Sequence, residues 1–353
     1  MKLTVGGGCG EHGRNCFLVE SEHVDFIVDC GIMPGVEDPY PRLSDAQIKT
    51  AKWLFITHSH IDHTGAYTWL CERGFSGCVI MTRETAGQLA FSPKRLYLID
   101  DMAPAMSSLP LKDKLSVTWG KSGQCAGSVW YDFCVEDKRI LFSGDYVEDT
   151  LVYRCDPIRN FFDDIAVLDS AYGDAEQTPA DYRDALVELV KSFLRQKRTI
   201  LFPVPRYGRG LELLLLLHKY FPNVPYMLDA HLEGEISRLQ KIEDWIKPEA
   251  MIELQRIPYI NNDAAQRDNG FVFLSDPQLK SAEGQKFAGK ITDMDGKIII
   301  TGNADMGSHS EKLLMCDRAL PSRYAVHMSN ADRIALEKQN HFANVVPYHN
   351  ESQ

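Results

Sequence analysis

Short apolar runs alternate with polar turns along the chain, and the spacing of the two changes once, near residue 176. Before that point strands predominate. A strand, a glycine-rich turn and a second strand open the chain, and the five glycines between Gly6 and Gly13 allow close backbone approach or positive φ. No helix start follows them, so they are not a phosphate-binding fingerprint. Residues 26–31 read as a strand ending in Asp29-Cys30-Gly31, and residues 53–57 as a buried strand. Residues 139–145 close a further apolar strand on Ser143-Gly144-Asp145, and residues 165–169 end in Asp169. Helices are expected over 40–52 and 64–73.

Beyond residue 176 helices and strands take turns. Thr178-Pro179-Ala180-Asp181 is a helix start, with an N-cap, proline at the first position and an acid at N3. The alternation continues through strand 199–204, helix 208–221, strand 225–229, helix 233–246 and strands 271–275 and 297–301, which calls for parallel βαβ units. The run Leu211 to Leu217 reads as a buried amphipathic helix. Residues 176–320 are therefore expected to form an α/β domain inserted into a first domain made of 1–175 and 321–353. The strand-like pieces 324–327 and 344–349 would return to that first domain. A chain of 353 residues exceeds one comfortable core, in keeping with two domains.

The chemistry is concentrated in His58-Ser59-His60-Ile61-Asp62-His63, directly after the strand 53–57. Alternate residues of an extended segment share a face, so His58 and His60 can point at one metal. Asp62 and His63 lie past the bend, near Gly65, and can reach a second metal. The competing reading, a polar surface loop that happens to be rich in histidine, leaves this ligand spacing unexplained. The loop reads as a binuclear metal site.

These residues resemble the metallo-β-lactamase superfamily, whose H-x-H-x-D-H signature the loop matches in full. The resemblance implies an α/β fold, an αββα sandwich with metal ligands on loops along one sheet edge. It assigns His58, His60 and Asp145 to the first metal and Asp62, His63, Asp145 and His349 to the second. It makes Asp29 the carboxylate that orients a ligand histidine. Together with Asp62, it puts His327 and Asp169 in the catalytic group, His327 facing the leaving or a nonbridging oxygen and Asp169 setting its tautomer. The inserted domain resembles the β-CASP branch, whose members cut nucleic acids. The matching segments are Val204-Pro205-Arg206-Tyr207-Gly208-Arg209-Gly210-Leu211-Glu212-Leu213, Ile300 to Ser308, Val326 to Asp332, and Val345-Val346-Pro347-Tyr348-His349-Asn350-Glu351. The glycine-rich opening resembles RNase J-type nucleases, so the similarity covers nearly the whole chain.

The function implied by the resemblance is a metal-dependent ribonuclease using one or two Zn²⁺ ions, with Mn²⁺ as the alternative. RNA is preferred over DNA as partner because RNA-processing relatives carry a histidine where His349 stands. Arg206 and Arg209, either side of Gly208 at a helix N-terminus, and Ser308 are the candidate phosphate contacts. One departure stands out: Gln124, in Ser122-Gly123-Gln124-Cys125-Ala126-Gly127-Ser128, replaces the third histidine of the first metal. Three outcomes stay open: oxygen ligation favouring Mn²⁺ or Mg²⁺, replacement by Cys125 or another residue, or an empty or transient first site. A catalytically degenerate RNA-binding subunit is therefore a competing function. A small-molecule hydrolase on the same core is another, opposed by the βαβ insertion and the arginine pair.

Composition adjusts this picture in three ways. The chain is 44% hydrophobic and 25% charged, without an apolar run long enough to span a bilayer, so no membrane role is expected. Its net charge of −11 argues against a general electrostatic footprint for nucleic acid, although bound divalent cations would reverse the field locally. Nine cysteines form no paired framework and no secretory leader opens the sequence, so reduced thiols and a cytoplasmic location are expected. The chain ends soon after His349, before the C-terminal domain that supports dimerisation in RNase J-like proteins. Self-association as a homo-oligomer is left open.

Overall fold

The computed structural model describes residues 1–258 and 269–350, so Glu351 of the last motif lies outside the described residues. The chain divides into two compact units. One comprises Met1–Glu148, Cys155–Glu176 and His327–Gln353, the other Asp149–Arg154 and Gln177–Val326. Among the described residues no helix is long and apolar enough to cross a membrane.

The first unit holds two six-stranded sheets. In one, Lys2–Gly7, Cys16–Glu20, Asp25–Val28, Ala51–Phe55, Cys78–Met81 and Leu96–Leu98 lie in chain order. In the other the order is Val345–Tyr348, Ile165–Asp169, Lys138–Phe142, Val129–Val135, Leu115–Lys121 and Leu109–Pro110. Successive side chains of a strand alternate faces, and here both faces are apolar. Phe17, Phe26 and Phe55 of the first sheet meet Phe142 and Phe133 of the second, with the Phe26–Phe133 and Phe55–Phe133 ring centroids 4.6 Å apart. The intervening Leu18, Ile27 and Leu54 point the other way and pack with Ile48 and Leu70 of the flanking helices. Trp130, Leu141 and Leu168 likewise cover the outer face of the second sheet against Leu336 of the helix Asn330–Lys338. The result is the αββα sandwich.

The second unit is a five-stranded parallel sheet in the order Tyr226–Leu228, Phe271–Leu274, Ile200–Pro203, Lys297–Ile300 and Leu320–Pro321. Thr178 caps the helix Pro179–Arg195 in a capping box with Asp181, as the sequence signals. The helix Arg209–Tyr220 is buried all round from Gly210 to His218, so it is a core helix rather than an amphipathic one. Its Glu212 accepts hydrogen bonds from Leu151 N at 2.8 Å, Val152 N at 2.7 Å and Tyr324 Oη at 3.0 Å, holding Asp149–Arg154 in this unit.

Local expectations fail where a cap or a break intervenes. In place of a helix over 40–52, Ser44 caps the short helix Asp45–Thr50 and the chain enters a strand at Ala51. The helix expected over 64–73 becomes Ile61–Thr64 and Tyr67–Glu72, separated near Gly65. The helix expected over 233–246 runs from Ala230 to Leu239 because Asp229 caps it, and Pro248 starts the next helix. Residues 324–327 form no strand.

Candidate metal centre

The predicted ligands lie at the carboxyl ends of neighbouring strands, where open α/β sheets place their sites. Asp29 follows Asp25–Val28, His58 to His63 follow Ala51–Phe55, and Asp145 follows Lys138–Phe142. Asp169 ends Ile165–Asp169, and His349 follows Val345–Tyr348. Close packing here depends on Gly31, since a Cβ on it would lie 1.6 Å from the Asp62 carbonyl oxygen. Asp29 and His349 both adopt positive φ, 58° and 69°, a conformation that non-glycine residues take up at a cost and that recurs at functional sites.

Asp29 is the anchor of the hydrogen-bond network. Its carboxylate accepts from Thr57 N and Thr57 Oγ1, each at 2.8 Å, and from His63 Nδ1 at 2.7 Å. Thr57 Oγ1, having donated to Asp29, accepts from His58 Nδ1 at 3.1 Å. Both histidines therefore carry a proton on Nδ1, which leaves Nε2 as the atom each can offer to a metal. His58 Nε2 is buried with no hydrogen-bond partner.

Around Asp145, which is only 2% exposed, the two carboxylate oxygens face different partners. Oδ1 lies 3.1 Å from His63 Nε2 and 3.4 Å from His349 Nδ1. Oδ2 lies 3.4 Å from His58 Nε2 and 3.3 Å from Gln124 Nε2, which donates to it. His349 Nε2 is 3.2 Å from Asp62 Oδ2. Two groups of donor atoms result, His58–His60–Asp145 and Asp62–His63–His349, with all atoms of each group within 4.8 Å of one another. A third overlapping group joins Asp145, Asp169, His327 and His349.

The electrostatics demand a cation. Burial pushes the Asp62 and Asp145 carboxyls up, but His63 and His349 outweigh it and hold both well below the ordinary carboxylate range. Burial likewise lowers His63, yet Asp145, Asp29 and Asp62 lift it well above its usual value. Carboxylate oxygens of Asp145 and Asp62 lie 3.1 and 3.6 Å from His63 Nε2, a concentration of negative charge that a divalent ion would balance. His60, by contrast, is pushed down to about 3 by burial and then by His58, and so remains a neutral donor. Buried nitrogen and oxygen atoms without hydrogen-bond partners, ionised carboxylates and imidazoles together make a donor set suited to divalent metal.

His327 Nδ1 lies 2.8 Å from Asp169 Oδ2. Burial raises the Asp169 carboxyl, but His327 and further hydrogen bonds bring it down to about 2. In the second unit, Arg209 opens its helix and lies against Gly302, where a Cβ would meet its guanidinium at 2.2 Å. Arg206 is exposed. Ser308 is buried and serves as N-cap of His309–Met315, its Oγ accepting from Glu311 N at 3.1 Å.

Sequence reasoning passed over four residues that touch the centre. Thr57 orients His58; Tyr348 Oη donates to Asp145 Oδ1 at 3.4 Å. Asn15 Nδ2 lies 2.9 Å from His63 Nε2 and 3.3 Å from Asp62 Oδ2. The His12 ring centroid lies 4.4 Å from that of His349, and burial followed by His349 pushes His12 down to about 4. A polar residue among glycines or at a strand end was the available signal.

Residues 9–84 match the family described as metallo-beta-lactamase superfamily. The chain is 23% identical over 351 residues to an RNase J-like protein of Methanocaldococcus jannaschii, covering 88% of this chain and 80% of that one. It is 25% identical over 269 residues to the transcription termination factor FttA of Methanosarcina mazei, covering 65% of this chain and 42% of the factor. It is 26% identical over 251 residues to the cleavage and polyadenylation specificity factor 73 of Drosophila melanogaster, covering 64% and 36%. The chain thus spans less than half the length of the latter two. A crystal structure of an Enterococcus faecalis V583 protein of unknown function shares the fold, with TM-score 0.61, 12% identity and coverage of 99% and 94%.

Proposed function

We propose that this chain, a metallo-β-lactamase-superfamily protein with a β-CASP-type α/β insertion, is a metal-dependent phosphodiesterase that hydrolyses RNA. The observation that carries the reading is the convergence of His58, His60 and Asp145 into one donor group and Asp62, His63 and His349 into another, with the second carboxylate oxygen of Asp145 against His63 and His349. RNA as substrate class is supported by relatives named as an RNase J-like protein, endoribonucleases and a polyadenylation specificity factor.

Zn²⁺ fits the imidazole-rich donor set, with Mn²⁺ as the alternative. Asp62, His63, His349 and Asp145 would hold one ion, and His58, His60 and Asp145 a second. Such ions, when bound, supply Lewis acidity toward a phosphoryl oxygen and a nucleophile at neutral pH. The chain's own residues do the rest. Asp29 and Thr57 keep the Nε2 atoms of His63 and His58 available. Asp169 holds the Nδ1 proton of His327, so the opposite ring nitrogen is free to hand a proton to the leaving oxygen. Arg206 and Arg209 contribute phosphate contacts in the second unit. We place this activity in the cytoplasm, with the nine cysteines as thiols.

The test is hydrolysis of 5′-labelled single-stranded RNA by purified protein supplied with Zn²⁺ or Mn²⁺. Cleavage by the wild type and its loss in His60→Ala is the expected result. No cleavage by the wild type with either ion overturns the reading.

A further inference from the structure

The two halves of the centre are not equivalent, and the reason is Gln124. It sits in the turn between Leu115–Lys121 and Val129–Val135, only 3% exposed. That turn is rigid. Ser122 N donates to Ser128 O, Cys125 N donates to Ser128 Oγ, and the hydroxyls of Thr82 and Thr85 both donate to Gly127 O. The Gln124 side chain is thus delivered to one place, beside Asp145.

There its Nε2 donates to Asp145 Oδ2, the same oxygen that faces His58 Nε2. Its Oε1 is buried and, like His58 Nε2, has no hydrogen-bond partner. Two buried acceptor atoms without a donor, on side chains that both reach Asp145 Oδ2, are what a place suited to a cation would present. The donors on this side are two imidazoles, one carboxylate oxygen and one neutral amide oxygen. On the other side Asp62 and Asp145 Oδ1 bring two carboxylates to His63 and His349. An amide oxygen is a harder, weaker donor than imidazole and carries no charge.

We propose that the centre is asymmetric. One divalent ion is held firmly by Asp62, His63, His349 and Asp145. A second, exchangeable ion sits on His58, His60 and Asp145, with Gln124 Oε1 as its weak ligand, so that its occupancy follows the free metal concentration. The weak oxygen ligand also narrows the preference of that half for Zn²⁺ over Mn²⁺. This rests on the metal-centre reading given under Proposed function.

The experiment strips the full-length protein with a chelator and titrates it with Zn²⁺, and separately with Mn²⁺, by isothermal calorimetry. Metal content after gel filtration is read by mass spectrometry. The wild type is expected to keep one ion through gel filtration and to bind a second at least ~10-fold more weakly, a spread of at least ~1.4 kcal/mol. Gln124→His is expected to keep two. Gln124→Glu, isosteric with the native residue, is expected to tighten the second event in case the histidine is too bulky for the turn. Two ions held equally tightly by the wild type overturn the asymmetry alone, as does an unchanged second event in both variants. No bound ion in any form overturns the metal-centre reading beneath it.

Discussion

Replacing Asp29 by asparagine removes the acceptor oxygen that His63 Nδ1 and Thr57 Oγ1 share, while keeping the shape of the side chain. Asp29 sits at φ 58°, which asparagine tolerates and alanine resists at a cost of roughly 1–2 kcal/mol, so Asp29→Asn leaves the backbone unstrained. Its amide oxygen can still accept from Thr57 N in place of Oδ1. The amide nitrogen then takes the position of Oδ2 and donates toward His63 Nδ1, where the native carboxylate accepts at 2.7 Å. Two donors cannot face each other, so His63 must move its proton to Nε2. That nitrogen, 3.1 Å from Asp145 Oδ1, is the one offered to the metal. Loss of a carboxylate–histidine partner typically weakens metal affinity about 10–100-fold, which is ~1.4–2.7 kcal/mol at 1.36 kcal/mol per decade. Competition for Zn²⁺ with a chromophoric chelator measures it directly, and nitrogen NMR of the His63 ring reports the tautomer. An affinity within about twofold of wild type, in a variant with the Nε2–H tautomer, would refute the chain of reasoning from Asp29 to the metal.

Two further outcomes are expected away from the metal centre. Burial and then Asp163 push the Asp132 carboxyl up to about 8, so the folded chain keeps a proton there that the unfolded chain releases above about pH 4. This contribution to stability is complete below that pH and is lost as pH rises through 8; in Asp132→Asn it disappears, so the melting temperature of wild type relative to variant should fall between pH 5 and pH 8, and a constant difference would contradict it. Glu212→Gln sets an amide nitrogen against the backbone N–H of Leu151 or Val152, leaving a buried donor unpaired at a cost of about 1–3 kcal/mol. Chemical denaturation measures that loss, and limited proteolysis should open first within residues 149–154; an unchanged midpoint would show that the glutamate does not hold this segment.

The parts of this protein that local chemistry specifies were legible in the chain. His58 to His63 lie on one loop, and ligand spacing along an extended segment followed by a bend is a property of six residues alone. Thr178 and Asp181 announce their helix because a capping box is complete within four residues. Asp29, Asp145 and Asp169 stand out as acids closing apolar strands. The tertiary structure decided everything that depends on which strand ends are neighbours. Only the sheet order Val345–Tyr348, Ile165–Asp169, Lys138–Phe142 brings Asp145 and Asp169 beside His349, and His327 reaches Asp169 from a segment outside the sheet. Only packing reveals that Thr57, Asn15 and Tyr348 orient the ligands, since polar residues at strand ends are common and their partners lie far along the chain. The excursion of Asp149–Arg154 is held by a buried carboxylate on a distant helix and by backbone bonds to Trp245 and Lys247, which no pattern near residue 150 encodes. The substitution at Gln124 was visible as a missing histidine, but its meaning was not. A turn pinned by Thr82, Thr85 and Ser128 brings that amide to one oxygen of Asp145, and the division of this carboxylate between two unequal halves exists only in the folded chain.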